Sequence, residues 1–426
     1  MSRSGSLAEN LEKGLALAAF WIFFLLAVDV GFRAFFWIAW NLEADDTPVI
    51  EDDRAGSAPY RDAPYDAEAF FAEMRAARKE AYTPYVVWRS QPFDGEHIDI
   101  DEEGNRSTYR ASGTDGTAND PLHIWLFGGS VIWGLGAPDS QTVSSHLARH
   151  FEKELGVDAV VRNLGEIGFV NTQEIVLLLR ELQLGRRPDL VVFFDGANDA
   201  PAAVLWPEFD GGHMNLTAIR DRFEKREKEQ PHPMLRILRR SGIWRMADLL
   251  GKKLDIQTIK QQAPPYSIPT DPAEIRQRGE RAAAIWLANR RFVDALGAHY
   301  GFTAFYLLQP SLKVGAKKRH PSEVALLEKE MENDAKRVGM ESYAAMRDAV
   351  RRQKMRADEV DLRTVDLSDA FADVSEPLYF DYVHVGHAGN RLIAQEIAGV
   401  LRGYLCSGIE GAVRSPIRST IAQTCH

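Results

Sequence analysis

The stretch His123-Ile-Trp-Leu-Phe-Gly-Gly-Ser-Val-Ile-Trp-Gly-Leu-Gly136 decides how the chain folds. Its first five residues, His123 to Phe127, are mostly apolar and read as a strand buried on both faces, the pattern of a parallel sheet covered by helices. Gly128 and Gly129 let the backbone turn sharply, so Ser130 stands at the carboxyl end of a strand with a helix beginning soon after. In open α/β sheets ligands bind in the crevice outside those ends. Taken alone, Ser130 reads as a helix N-cap, for which serine is a preferred residue. The rest of the chain reverses that reading.

Downstream, strand and helix alternate. Ala159 to Asn163 reads as a second strand and runs into Asn163-Leu-Gly-Glu-Ile-Gly168, where Gly168 allows a close backbone approach to a ligand. Leu190 to Phe194 is a third strand, ending in Asp195-Gly-Ala-Asn198-Asp199. Asn198 can turn its amide into the same crevice as Ser130, or simply form an Asx-turn beside glycine. Thr303 to Leu308 and Thr364 to Asp366 complete the strands. Helices are expected over 141–155, from 172, over 271–299 and over 322–357, with a last one ending near Leu405. Before it lies Phe380-Asp381-Tyr-Val-His384. A carboxylate three residues before a histidine can fix its tautomer and stabilise the imidazolium. A capped helix start followed by a surface histidine has the same spacing.

The 426 residues are 45% hydrophobic and 26% charged, ordinary for a folded protein, and the formal net charge of −10 argues against nucleic-acid binding as the main task. Gly14 to Trp40 is long and apolar enough to cross a bilayer, broken only by Asp29 and Arg33, which share a helix face. No small-residue cleavage site follows, so an uncleaved anchor is expected, and Arg3 and Lys13 before it favour an exported body. Between Pro207 and Pro269 the alternation stops; a helical insertion over or beside the crevice is expected there. Its run Arg236, Arg239 and Arg240 reads as a solvated face. Lys313, Lys317, Lys318, Arg319 and His320 form a basic loop able to approach an acidic substrate. His146 and His150 lie four apart without a third ligand, so no metal is expected, and the sequence holds no phosphate loop of the GxxxxGK(S/T) type. Cys406 and Cys425 form one bridge or remain two thiols, depending on compartment. Asn105 and Asn215 match the glycosylation acceptor pattern, which recurs by chance.

Four features thus follow in order: Gly-Gly-Ser130, Gly168, Gly-Ala-Asn198-Asp, and Asp381-x-x-His384. Together they supply a nucleophile, a base, an orienting carboxylate and oxyanion donors, the full set for acyl transfer. In these blocks the sequence resembles the SGNH, or GDSL, hydrolases, over about 121–201 and 301–405. Gly129 departs from the aspartate of GDS. The resemblance implies a three-layer αβα sandwich around a five-stranded parallel sheet, a flavodoxin-like arrangement. It also implies a triad of Ser130, His384 and Asp381, and an oxyanion hole of Ser130 N–H, Gly168 N–H and the Asn198 amide. The expected organisation is an anchor at 1–40, a linker and accessory helix and hairpin region at 41–120, a core at 121–206 and 271–405 split by the insertion at 207–270, and a tail at 406–426. The expected function is a serine esterase, single-pass and extracytoplasmic, acting without a cofactor on O-acyl, chiefly O-acetyl, esters of envelope or exported polysaccharide. An acyltransferase working with a membrane partner, a lipase or thioesterase, and a non-catalytic glycan-binding scaffold are the alternatives.

Overall fold

Apolar runs shape two compact units in the computed structural model, one of Met1–Asp52 with Ala218–Pro265, the other of Asp53–Thr217 with Tyr266–His426. The structure describes residues 3–43, 53–110, 121–206, 212–213, 215–216, 219–220, 241–244, 246, 267–356 and 361–407. The basic run Arg236, Arg239 and Arg240 lies outside them, as does Cys425; Cys406 is disulfide-bonded.

The first unit is built on α1 (Arg3–Glu43), in which Glu12–Trp37 has a mean hydropathy of 2.3 and no buried portion. Twenty-six residues at about 1.5 Å rise exceed the thickness of a bilayer core. Arg33 Nε donates to Asp29 Oδ2 at 2.8 Å, one turn away, as their spacing predicts. The insertion meets this helix: Ile243 N–H donates to Asp29 Oδ1 at 3.2 Å. Gly242 allows the approach, since a Cβ there would fall 2.6 Å from the Asp29 carbonyl oxygen.

The second unit opens with an accessory region. Here α2 (Ala67–Ala77) is capped by Asp66, whose side chain accepts from Ala69 N–H. The hairpin of β1 (Glu80–Thr83) and β2 (Val87–Ser90) follows. The pair β3 (Phe93–Asp94) and β4 (Asp99–Ile100) comes next. After β4 the chain reverses in a tight turn at Asp101–Gly104, closed by an antiparallel bridge between Ile100 and Arg106, while β4 itself pairs with β3. Asn105 is buried and bonded to Asp101 and Arg89, so its role is structural.

The main sheet comprises β5 (Leu122–Gly128), β6 (Ala159–Asn163), β7 (Leu190–Asp195), β8 (Thr303–Leu308) and β9 (Thr364–Asp366). All pairs are parallel, in the order β6-β5-β7-β8-β9. The helices around it are α3 (Ser130–Trp133), α4 (Val143–Leu155), α5 (Asn171–Gln183), α6 (Asp199–Leu205), α7 (Pro272–Tyr300), α8 (Pro321–Met331), α9 (Asp334–Arg356) and α10 (His387–Cys406). Three layers follow from the pleat of β8, whose successive side chains point to opposite faces. Phe305 meets Tyr404 of α10 edge-on at 5.2 Å, while its neighbour Tyr306 meets Trp286 of α7 at 6.0 Å. On the second face Phe127, Phe193 and Tyr306 stack across three strands at 5.2 and 5.7 Å. The single helix expected over 322–357 is two, because Asn333 caps a fresh start: its side chain accepts from Lys336 N–H at 3.1 Å.

A second apolar cluster joins Tyr60, Phe70, Phe71, Met74, Ile98 and Ile100 of the accessory region to Trp133, Leu135 and Phe380. The accessory region therefore packs on the segments that carry Ser130 and Asp381.

Candidate active site

Ser130 follows β5 directly and opens α3, so its N–H is among the first helical amides that lack an intrahelical acceptor. Gly128 is required before it, since a Cβ there would stand 2.8 Å from the Phe194 carbonyl on the adjacent strand. Asp381 and His384 lie on a loop pinched by a bridge between Tyr379 and Val385, with Phe380 N–H donating to the His384 carbonyl at 3.1 Å. The Phe380 ring lies nearly parallel to the imidazole at 5.8 Å.

The loop brings the imidazole to the serine across 254 residues of chain. Ser130 Oγ stands 2.6 Å from His384 Nε2, and His384 Nδ1 stands 2.6 Å from Asp381 Oδ2. Asp381 Oδ1 accepts from the backbone N–H groups of Val383 at 2.8 Å and His384 at 2.6 Å. Burial works to raise the Asp381 pKa, but the imidazole and these two donors outweigh it and hold it below the ordinary value. An ionised Asp381 keeps the proton on Nδ1 and leaves Nε2 as the base facing the hydroxyl.

Two further blocks reach the same place. After β6 the chain turns at Gly168, whose φ of +75° lies in the left-handed region that glycine tolerates. After β7, Asn198 precedes α6 and its Nδ2 donates to Phe169 O at 2.8 Å. A Cβ on Gly129 would stand 2.3 Å from that same Nδ2, so the Asn198 amide lies against the backbone leading to Ser130. The hydrogen-bonded side chains of Ser130, His384 and Asp381 and these turns stand at the carboxyl ends of a five-stranded parallel sheet of order two-one-three-four-five. This is the sheet that the sequence resemblance to the SGNH, or GDSL, hydrolases implies.

No family model matches the chain, and no curated protein does. Several solved structures are similar to it. A lipolytic protein of the G-D-S-L family from Veillonella parvula is 10% identical over 66% of this chain and 97% of that one, with a TM-score of 0.30. A lipase/acylhydrolase from Enterococcus faecalis is 14% identical over 65% and 96%, at 0.29. The acetylxylan esterase Axe2 from Geobacillus stearothermophilus is 14% identical over 69% and 97%, at 0.27.

Glycine at 129 has a steric reason in this chain. Gly129→Ala is expected to displace the Asn198 amide and lower kcat by at least about tenfold, towards the roughly 10²–10³ of losing one oxyanion donor. Turnover of a chromogenic acetyl ester measures it; an unchanged kcat would mean that Asn198 plays no part.

Beneath Asn198 lies a buried acidic cluster. Asp195 accepts from Asn171 Nδ2 at 2.8 Å and Trp286 Nε1 at 2.9 Å, while Asp199 accepts from Asn171 N–H at 2.9 Å and Gly196 N–H at 3.3 Å. Glu174 is fully buried with neither oxygen bonded by a donor. Burial, then the neighbouring carboxylates, raise Glu174 well above its usual range and Asp195 to about 7. At least one proton is therefore held between Glu174 and Asp195 at neutral pH. The folded chain keeps this proton where the unfolded chain has released it. This contribution to stability is thus full at acid pH and is lost as pH rises from about 4 towards 7 and beyond. Glu174→Gln, neutral at every pH, is expected to flatten that fall in thermal midpoint; an unaltered slope would refute the shared proton.

Other sequence-based expectations meet different fates. The basic loop is largely committed to structure: Lys317 is buried in an ion pair with Glu323 at 2.7 Å, Arg319 Nε donates to Leu312 O, and His320 caps α8. Only Lys313 and Lys318 stay exposed among its lysines. His146 is half-buried and pushed down to about 4 by desolvation, and His150 pairs with Glu154; among the described residues no group of three or more His, Cys, Asp or Glu is arranged to hold a metal ion. Sequence reasoning missed Ser90 and Trp88 of β2, which reach the turn around Gly168, because nothing local marks them.

Proposed function

We propose that this chain is a serine esterase that acts through an acyl-serine intermediate on O-acyl, chiefly O-acetyl, esters of envelope or exported polysaccharide, held to the membrane by α1 with its body on the extracytoplasmic side. The hydrogen-bonded line Ser130–His384–Asp381, with both links at 2.6 Å, carries the reading. His384 Nε2 takes the proton as Oγ attacks the ester carbonyl, and Asp381 stabilises the imidazolium. The tetrahedral oxygen is met by Ser130 N–H, Gly168 N–H and the Asn198 amide. His384 then returns the proton to the leaving alkoxide, and water or an acceptor hydroxyl takes the acyl group.

One feature supports the substrate class: α1 is long and apolar enough to cross a membrane, which fits an enzyme of the cell envelope. Ser130→Ala is expected to abolish turnover of a chromogenic acetyl ester and labelling by a serine-directed phosphonate. Wild-type turnover in that variant would end the reading. Acetylated oligosaccharide supplied with and without an unacetylated acceptor separates hydrolysis from transfer, since only transfer yields an acceptor heavier by one acetyl group.

A further inference from the structure

Ser90 is contributed by the accessory hairpin, well before the nucleophile in the chain, and is 7% exposed. Its Oγ donates to Glu166 Oε1 at 2.9 Å and accepts from Trp133 Nε1 at 3.0 Å, while its N–H donates to Glu166 Oε2 at 2.7 Å. A carboxylate only accepts and an indole N–H only donates, so a hydroxyl between them can point one way only: Trp133 Nε1–H to Ser90 Oγ–H to Glu166. The two ends of this line belong to the two catalytic turns. Trp133 closes the short helix that Ser130 opens, and Glu166 begins the turn that contains Gly168.

The turns are already in contact. A Cβ at Gly165 would lie 2.5 Å from Trp133 N, and Glu166 N–H donates to Gly128 O at 3.0 Å. Glu166 Oε1 also accepts from Ile167 N–H at 3.0 Å, holding its own turn. Trp88, two residues before Ser90, donates from Nε1 to Ile167 O at 2.9 Å and sets its ring edge-on against Phe169 at 5.5 Å. The Glu166 charge is balanced by Arg89 at 3.6 Å, itself bonded to Gly104 O and Asn105 Oδ1.

We propose that Ser90 is a positioning residue for the oxyanion hole, fixing the spacing between the Ser130 and Gly168 amides by joining Trp133 to Glu166. This rests on the esterase reading above. An oxyanion hole works through donors fixed before reaction, and a displacement of about 1 Å is enough to cost on the order of a hundredfold. The triad itself makes no hydrogen bond with Ser90, so binding of the ground-state ester is little affected.

Ser90→Ala in the full chain is expected to lower kcat for a chromogenic acetyl ester by about 10–100-fold with KM within about threefold, short of the roughly 10²–10³ for deleting a donor outright. Labelling by the phosphonate should slow in parallel, while the thermal midpoint stays above the assay temperature. Trp133→Phe breaks the same line from its other end and serves where Ser90→Ala does not fold. The double variant should be no slower than the slower single one, since both remove one link. A folded Ser90→Ala with wild-type kcat overturns the proposal, as does a loss that merely tracks the unfolded fraction or multiplies in the double variant. Failure of the esterase reading looks different: wild-type protein would then show no Ser130-dependent turnover at all.

Discussion

Asp381→Asn is expected to lower kcat by about 10⁴-fold while leaving the fold intact, the scale seen when a triad carboxylate becomes an amide. The geometry dictates how. Asp381 Oδ1 accepts two backbone N–H groups, from Val383 and His384, and Oδ2 accepts His384 Nδ1–H. An asparagine must turn its carbonyl oxygen to those two backbone donors, which leaves its NH₂ facing Nδ1. The imidazole is then driven into the tautomer with its proton on Nε2, where it can no longer accept from Ser130 Oγ at 2.6 Å. Steady-state turnover of a chromogenic acetyl ester gives the loss, and an unchanged thermal midpoint shows that the loop survives. A loss under about tenfold would mean that His384 is oriented by something other than Asp381.

The spacing of Asp381 and His384 makes this pair legible in the sequence, because both sit on one short segment. The five strands are legible for a related reason: β5, β7 and β8 are continuous apolar runs, and β5 and β7 end in glycine or a turn-forming residue. What escapes depends on partners remote in sequence. The turn from Thr83 to Val87 has no glycine, and Tyr85 and Val87 adopt φ of +69° and +77°, so local rules do not announce a hairpin. Ser90 acquires its role only through Trp133 and Glu166, 43 and 76 residues away. Lys317 misleads for the converse reason. In a row of basic residues it looks solvated, and only the fold reveals the glutamate beneath it.

That buried lysine carries a second large effect. Lys317→Ala is expected to destabilise the chain by about 3–5 kcal/mol, the usual cost of stripping one partner from a buried ion pair. Glu323 is fully buried and its carboxylate holds four donors: Lys317 Nζ at 2.7 Å and the N–H groups of His320 at 2.9 Å, Leu378 at 2.9 Å and Tyr379 at 3.2 Å. Lys317 Nζ also donates to Glu376 O at 2.9 Å. The pair therefore ties α8 to the stretch of chain that enters the catalytic loop just before Asp381. With the ammonium gone, the backbone N–H groups alone must hold a buried negative charge, and the chain avoids this by releasing the 376–381 segment. Esterase activity should accordingly disappear on heating before the global transition, which a matched pair of inactivation and circular-dichroism curves would show. Combining Lys317→Met with Glu323→Gln removes both charges and keeps an amide oxygen for Leu378 and Tyr379, so the double variant should recover much of the stability lost by Lys317→Ala. If Lys317→Ala costs less than about 1 kcal/mol in urea, the pair behaves as a solvated surface bridge and its link to the catalytic loop fails.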